Sequence, residues 1–364
     1  MAMLGAQPAQ ALTNILQNPP QLPLRQETTS YTALPSQAKV LGQGKTLKEF
    51  DLSIEYINSR IRNPGERRID QVRLRGYVGT NTSEDTPFVA PTIEVNPGDT
   101  VRVNLKNNLP IVPNCKVSPE KINEPHCFNG TNLHTHGLWI SPTGNSDNVL
   151  LSINPGEEFQ YEFNIPPEHP AGTFWYHPHR HGSTALQVAS GMAGALIVHG
   201  DRKPEADGIN QFTHGDIDTL LAGLTDMPER ILVLQQIQYA CLDDEGEIKV
   251  RKDLAGNVVA WVCDDEDTGG IEFYDSPGGN GLFGPGTWDK SGRHTSINGK
   301  IIPIIRGDGA HIPRVKAGQI ERWRAIHAGV RDTISLEFRK SQRPVKGSIR
   351  YVKASEQDDW IQKY

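Results

Sequence analysis

Five of the twelve histidines fall into two short clusters, and their spacing could do metal chemistry. The first cluster is Asn132-Leu133-His134-Thr135-His136-Gly137-Leu138-Trp139. The second is Gly172-Thr173-Phe174-Trp175-Tyr176-His177-Pro178-His179-Arg180-His181-Gly182. On a strand, residues two apart face the same way, roughly 6.6 Å apart along the chain. Two imidazoles so placed can grip one metal ion or two adjacent ones. Two such strands side by side would set four nitrogens around one pocket. Imidazole serves copper, zinc, iron and nickel alike, whereas calcium and magnesium take oxygen ligands. A single His-x-His is more simply read as hydrogen-bonded residues on an aromatic-rich strand. Two pairs, the second starting 43 residues after the first and both flanked by tryptophan and small residues, favour a metal site.

Same-face pairs need strands, and the chain supplies them in series. Leu52-Ser53-Ile54-Glu55-Tyr56-Ile57 alternates apolar and polar residues over most of its length. Ile93-Glu94-Val95 runs through the turn Asn96-Pro97-Gly98-Asp99 into Val101-Arg102-Val103-Asn104-Leu105, which reads as two half-buried strands with a tight connection. A second Asn-Pro-Gly turn at 154–156 precedes Phe159, Tyr161, Phe163 and Ile165 at period two, and Ala193–Val198 reads as a buried strand. No convincing stretch of ten or more residues carries a helical period. After a polar linker at 201–213, Arg230–Gln235 opens a second strand series. There Val315, Gly318, Trp323 and His327 echo Val95, Gly98, Val103 and Asn107 at a constant offset of 220 residues.

The resulting expectation is an all-β chain of tandem Greek-key β-sandwiches, the second incomplete. Residues 1–45 form an extended or mobile lead-in, 46–200 a first domain with both histidine clusters, 201–213 a linker, and 214–364 a second domain. The 364 residues suffice for two ordinary domains, and 35 Gly and 26 Pro suit many short strands with turns between them. A formal net charge of -6 offers no basic surface for nucleic acid or anionic lipid. No apolar run approaches the ~20 residues that cross a bilayer. The stretch ending Ala9-Gln10-Ala11 reads either as the cleavage end of an export signal or as an alanine-rich disordered start. Four cysteines lie as two local pairs, so Cys115–Cys127 and Cys241–Cys263 are the natural bridges among three pairings, with free thiols the alternative.

The two clusters resemble the copper motifs of multicopper oxidases. His134-Thr135-His136-Gly137 is similar to that family's first motif. Trp175-Tyr176-His177-Pro178-His179-Arg180-His181-Gly182, followed by Gln187 and Gly191-Met192-Ala193-Gly194, is similar to the second, in the form of bacterial, laccase-like members. The likeness extends over Pro91–Pro110 and over Glu321–Gly329. The resemblance implies cupredoxin-like domains and a trinuclear copper centre that reduces dioxygen to water with electrons from a separate type 1 copper. It implies that His134 is a type 2 copper ligand, and that His136, His177 and His179 are ligands of the paired type 3 coppers. His181 reads as a group that hydrogen-bonds behind a ligand, and Trp139 and Trp175 read as packing residues. His126, His169, His199, His214, His294, His311 and His327 read as surface or hydrogen-bonded structural histidines.

Two further His-x-His motifs of the family do not occur, and no cysteine is flanked by histidines on both sides. Pro125-His126-Cys127-Phe128 comes nearest, and a bridge cysteine is its plainer reading. Ile349-Arg350-Tyr351-Val352 reads as another strand beginning. The expectation is therefore an N-terminal fragment holding copper in half of the trinuclear site, lacking the type 1 site and inactive alone. Completion would need a C-terminal cupredoxin domain. Dioxygen and a small reductant (phenols, amines or metal ions) are the partners of the full-length parent, in the periplasm or outside the cell. A non-catalytic copper-binding or copper-handling protein is the alternative. A zinc hydrolase ranks last, because the sequence shows no convincing carboxylate base next to the clusters.

Overall fold

A computed structural model describes residues 16–25, 46–63, 68–80, 82–83, 86–112, 115–116, 118–205, 215–221, 227–272, 294–301, 318–330 and 334. The strand expected at 349–352, His214, His311 and the side chain of His294 lie outside these residues, as does most of the expected lead-in.

Among the described residues the strands are β1 (Leu47–Asn63), β2 (Arg68–Val78), β3 (Ala90–Val95), β4 (Thr100–Asn107), β5 (His134–His136), β6 (Glu158–Asn164), β7 (Gly172–His177), β8 (Gly194–Val198), β9 (Glu229–Ile237), β10 (Val250–Lys252), β11 (Val258–Trp261), β12 (Thr268–Gly269), β13 (His294–Ile297), β14 (Lys300–Ile301) and β15 (Arg322–His327). Two short helices, α1 (Thr184–Ala189) and α2 (Ile217–Leu221), accompany them. The chain is all-β, as its alternating patterns require.

The larger sheets run β12-β2-β1-β4-β6, β3-β8-β7-β5 and β14-β13-β9-β15. The first two face each other. Phe50, Leu52 and Ile54 of β1, Val101, Val103 and Leu105 of β4, and Tyr161 and Phe163 of β6 meet Ile93, Val95, Tyr176, Leu196 and Val198 in one buried cluster. Arg102, Asn104 and Lys106 point the other way, as period two demands. The turn at 96–99 joins β3 in one sheet to β4 in the other, so it is a crossover rather than a hairpin. Gly98 takes φ 87° there, and the Asp99 carboxylate accepts the Asn96 N–H at 2.7 Å.

Strand β8 is buried throughout because both of its faces are covered. Leu196 and Val198 look into the sandwich, while Ala195 and Ile197 pack with Ile231, Val233, Ile326 and Ala328 of the third sheet and its flank. This double cover explains why 193–198 reads as an unbroken apolar run. Part of the expected lead-in is tied down. Leu22 N–H donates to Thr92 O and Thr92 N–H to Pro20 O, both at 2.7 Å. The Asn18 side chain accepts the Ile231 N–H and donates to Glu229 O. Both expected bridges are present, with Cα–Cα separations of 4.4 Å for Cys115–Cys127 and 5.3 Å for Cys241–Cys263.

Candidate metal centre

The two histidine clusters meet because β5 lies antiparallel to β7 at the edge of its sheet. The register sets His134 opposite His177, Thr135 opposite Tyr176 and His136 opposite Trp175. Tyr176 points into the sandwich core, where its hydroxyl donates to Pro91 O at 2.6 Å. Alternation then puts His134, His136, Trp175 and His177 together on the opposite face. That is the face on which Trp175 packs beside the seam with the third sheet.

Among the described residues, His134, His136 and His177 form one group whose potential ligand atoms all lie within 4.8 Å of one another. Their ring centres are 5.1–5.5 Å apart. His134 Nδ1 lies 2.9 Å from Asp147 Oδ1, an oxygen that also accepts the Thr135 N–H at 2.9 Å. His177 Nδ1 lies 2.9 Å from Pro178 O, and since a carbonyl only accepts, this nitrogen carries the proton. His177 Nε2 is then a lone pair, facing His136 Nδ1 at 3.3 Å. A proton on His136 Nδ1 closes that contact, and its loss leaves two lone pairs aimed at shared space. Trp175 stacks on both rings, with centroids 4.1 Å from His177 and 5.1 Å from His136. It is thus a flat wall against two imidazoles as well as a packing residue.

Burial, helped by the neighbouring imidazoles, lowers the His177 pKa to about 4 and pushes those of His136 and His179 below the ordinary histidine value. Neutral imidazole is the form that binds metal. His179 stands just past the strand. Its N–H donates to Asn132 Oδ1 at 2.6 Å, and its ring centre is 5.2 Å from that of His134 and 6.0 Å from that of His177. It borders the group of three without joining it, and its buried Nδ1 has no hydrogen-bond partner. His181 Nδ1 meets Asn123 Oδ1 at 2.6 Å. Arg180, between these two histidines, turns away to Ser152 Oγ and the His181 carbonyl.

The remaining described histidines have structural partners where contacts are resolved. His169 is fully buried, accepts the Trp139 N–H on Nε2 and meets Pro170 O through Nδ1. His126 Nδ1 meets Glu124 O, and His199 Nε2 meets Glu94 Oε2. Trp139 lies with its ring tilted near that of His169 but stays 59% exposed, more open than a packing residue is expected to be. Cys127 is bridged and offers no thiolate.

Sequence reasoning missed Asp147, Asn132 and Asn123. It sought a carboxylate beside the clusters, whereas Asp147 arrives from a loop 13 residues away, folded back so that its N–H donates to Ser141 O. Asn132 lay inside the first motif and was a readable signal. Its amide donates to Val149 O and Leu151 O, bracing the same loop.

Part of the chain is similar in sequence to known proteins. Residues 121–217 match the family model described as Multicopper oxidase. Over these residues the chain is similar to multicopper oxidases. Dihydrogeodin oxidase from Aspergillus terreus is 29% identical over 214 residues, 53% of this chain and 32% of its own length. A multicopper oxidase from Staphylococcus aureus is 33% identical over 116 residues, 32% of this chain and 21% of its own length. The solved blue copper oxidase from Nitrosomonas europaea is 23% identical, covers 78% of this chain and 62% of its own, and has a TM-score of 0.42. The chain therefore spans only about a third of dihydrogeodin oxidase. The matched residues include His134, His136, His177 and His179 and the groups that brace them, Asp147 and Asn132. Copper suits this donor set, because Asp147 and the Pro178 carbonyl hold His134 and His177 through Nδ1, so that Nε2 of each can donate to a metal.

Proposed function

We propose that the chain holds half of the oxygen-reducing copper cluster of a laccase-like multicopper oxidase. In this reading His134 is the type 2 ligand, while His136, His177 and His179 are type 3 ligands. The supporting observation is the β5–β7 register, which sets His134 against His177 and keeps His136 on the same face. Copper supplies one-electron steps, so that neighbouring ions together can pass electrons to dioxygen. The chain's own residues do the holding. Asp147 orients His134, the Pro178 carbonyl fixes the His177 tautomer, and Trp175 shields one side of two rings.

The reductant is a phenol, an amine or a metal ion, and dioxygen leaves as water. In this reading a cupredoxin domain that carries His-Cys-His, a motif these 364 residues do not contain, would complete the cluster and add the type 1 copper. In this reading residues 46–200 are a cupredoxin-like domain that bears the copper motifs, 201–213 a linker and 214–364 a second cupredoxin-like domain without them. The two disulfides support a periplasmic or extracellular setting. Copper binding without turnover is the second reading, supported by His136, which stays open to solvent at the sheet edge.

The test loads the purified 364-residue protein with copper under air. Bound copper is expected, and its loss in the His134→Ala/His177→Ala double variant. No intense blue thiolate band and no steady oxygen uptake with a phenol are expected. Joining a cupredoxin domain that carries His-Cys-His should bring oxygen uptake, and failure there would favour the binding-only reading. Copper content unchanged in the double variant would overturn the site, and a blue, oxygen-consuming chain would overturn the half-cluster.

A further inference from the structure

The histidine run of the second cluster does not end at the donor group. It continues outward along 177, 179 and 181, from a buried ring to one beside an open cavity. This cavity, about 260 Å³, is lined by His179 and His181 at one end and by Asn123, with Pro125, Phe128 and Leu186 as apolar walls. His181 is prepared in the same way as the inner imidazoles. Its Nδ1 meets a side-chain oxygen of Asn123 at 2.6 Å, which, as an acceptor, fixes the proton there and leaves Nε2 as a lone pair. His179 offers a buried Nδ1 with no partner.

The ring spacings form a staircase. His181 to His179 is 6.1 Å, His179 to His134 is 5.2 Å, and His179 to His177 is 6.0 Å. An imidazole nitrogen sits about 2 Å from a bound ion, so rings that share one ion have centres roughly 5–6 Å apart. Every step of the staircase lies near that spacing. His179 is common to the outer and inner steps, so an ion can exchange one imidazole for the next without returning to water.

We infer that His181 and His179 form a copper-loading site, which captures a copper ion from the cavity and passes it inward to His134 and His177. The inference rests on the copper reading above, and it assigns His181 a role in the rate of loading rather than in the finished cluster. Asn123 is its positioning residue. A relay of this kind speeds entry and exit alike, because the same path is travelled in both directions, and so leaves the equilibrium affinity almost untouched.

The experiment follows Cu(II) entry into the metal-free 364-residue protein by stopped-flow quenching of tryptophan fluorescence, since Trp175 stacks directly on His177. Copper removal by a chelator is followed in reverse. His181→Ala should slow both entry and removal at least tenfold, with copper stoichiometry unchanged and Kd moved less than threefold. Asn123→Leu, which keeps the imidazole but frees it to turn, should slow both by a smaller factor and stands in if the first variant folds poorly. Entry and removal rates equal to the parent's would overturn the relay. A fall in stoichiometry with His181→Ala would also overturn it, by making His181 a ligand of the cluster itself. A parent protein that takes up no copper would instead refute the copper reading, a separate failure seen before any variant is made.

Discussion

Two regions of the molecule are built alike and only one carries the histidine pairs. In the first, β1 lies between an antiparallel β2 and a parallel β4; in the second, β9 lies between an antiparallel β13 and a parallel β15. Glu49 stands opposite Arg102 in one parallel pair, and Glu229 opposite Arg322 in the other. A glycine with positive φ precedes each parallel strand, Gly98 at 87° and Gly318 at 81°, separated by the 220-residue offset read from the sequence. The scaffold is thus repeated, while the paired histidines belong to the short edge strand β5 and its partner β7. Among the described residues, the candidate chemistry lies outside the strands that the two units share. The two units bear on each other where the outer face of β8 packs on the second one.

The largest expected effects probe that shared seam. Leu196 faces the sandwich core of the first unit and Ile197 faces the second, and both are almost wholly buried. Leu196→Ala should cost about 2–5 kcal/mol of stability. If the seam is packed like a core, Ile197→Ala should fall in the same range in chemical denaturation. A loss below about 1 kcal/mol for Ile197→Ala, with Leu196→Ala as expected, would make the seam a loose contact between independent units.

A pH effect should belong to the first unit. Burial lowers the His177 pKa from 6.5 to about 4. A histidine lowered in the folded state is stabilising while neutral. Its contribution is full above pH 6.5, shrinks as pH falls and is gone below about 4, because the unfolded chain takes up the proton first. The metal-free protein should therefore lose up to about 3 kcal/mol between pH 6.5 and pH 4. Denaturation at several pH values, repeated with His177→Gln, checks this; an equal slope in the variant would assign the loss to other groups.

Much of this architecture was legible beforehand, and the omissions have physical reasons. Alternation over 52–57, 101–105 and 159–165 marked strands because one face of each meets the core while the other meets solvent. The histidine pairs were readable because a spacing of two survives any arrangement of the strands. The partner sheet of each strand was not, since a four-residue turn such as 96–99 serves a hairpin and a crossover equally well. Asp147 escaped for a related reason, as a loop brings it to His134 and no local pattern records such a return. Helix α1 was missed because six residues are too few to show a helical period.

A smaller effect should follow from Asp147. Asp147→Asn keeps an oxygen able to accept from His134 but removes the carboxylate charge beside that imidazole. Copper affinity should fall about 10–100-fold, measured by competition with a chelator of known affinity. The matching change in the second unit, Glu321→Gln, breaks a paired contact with Arg230 and should leave copper affinity where it was. Equal losses in both variants would mean that copper binding reports general stability rather than the Asp147–His134 contact.

The smallest effects test whether the two units are equivalent at the level of one turn. At Gly98 and Gly318 an added Cβ would meet no atom within 4 Å, so space is not the obstacle. The obstacle is the left-handed backbone, which disfavours any side chain by about 1–2 kcal/mol. Gly98→Ala and Gly318→Ala should therefore each cost about that much, and the same amount as each other, in denaturant titrations. Because the glycines sit in separate turns, the double variant should show the sum to within about 0.5 kcal/mol. A clear cost at Gly98 with none at Gly318 would show that the second turn relaxes to a right-handed form when asked. The 220-residue echo would then mark a shared sequence pattern whose backbone is firmly held only in the unit that carries the histidine pairs.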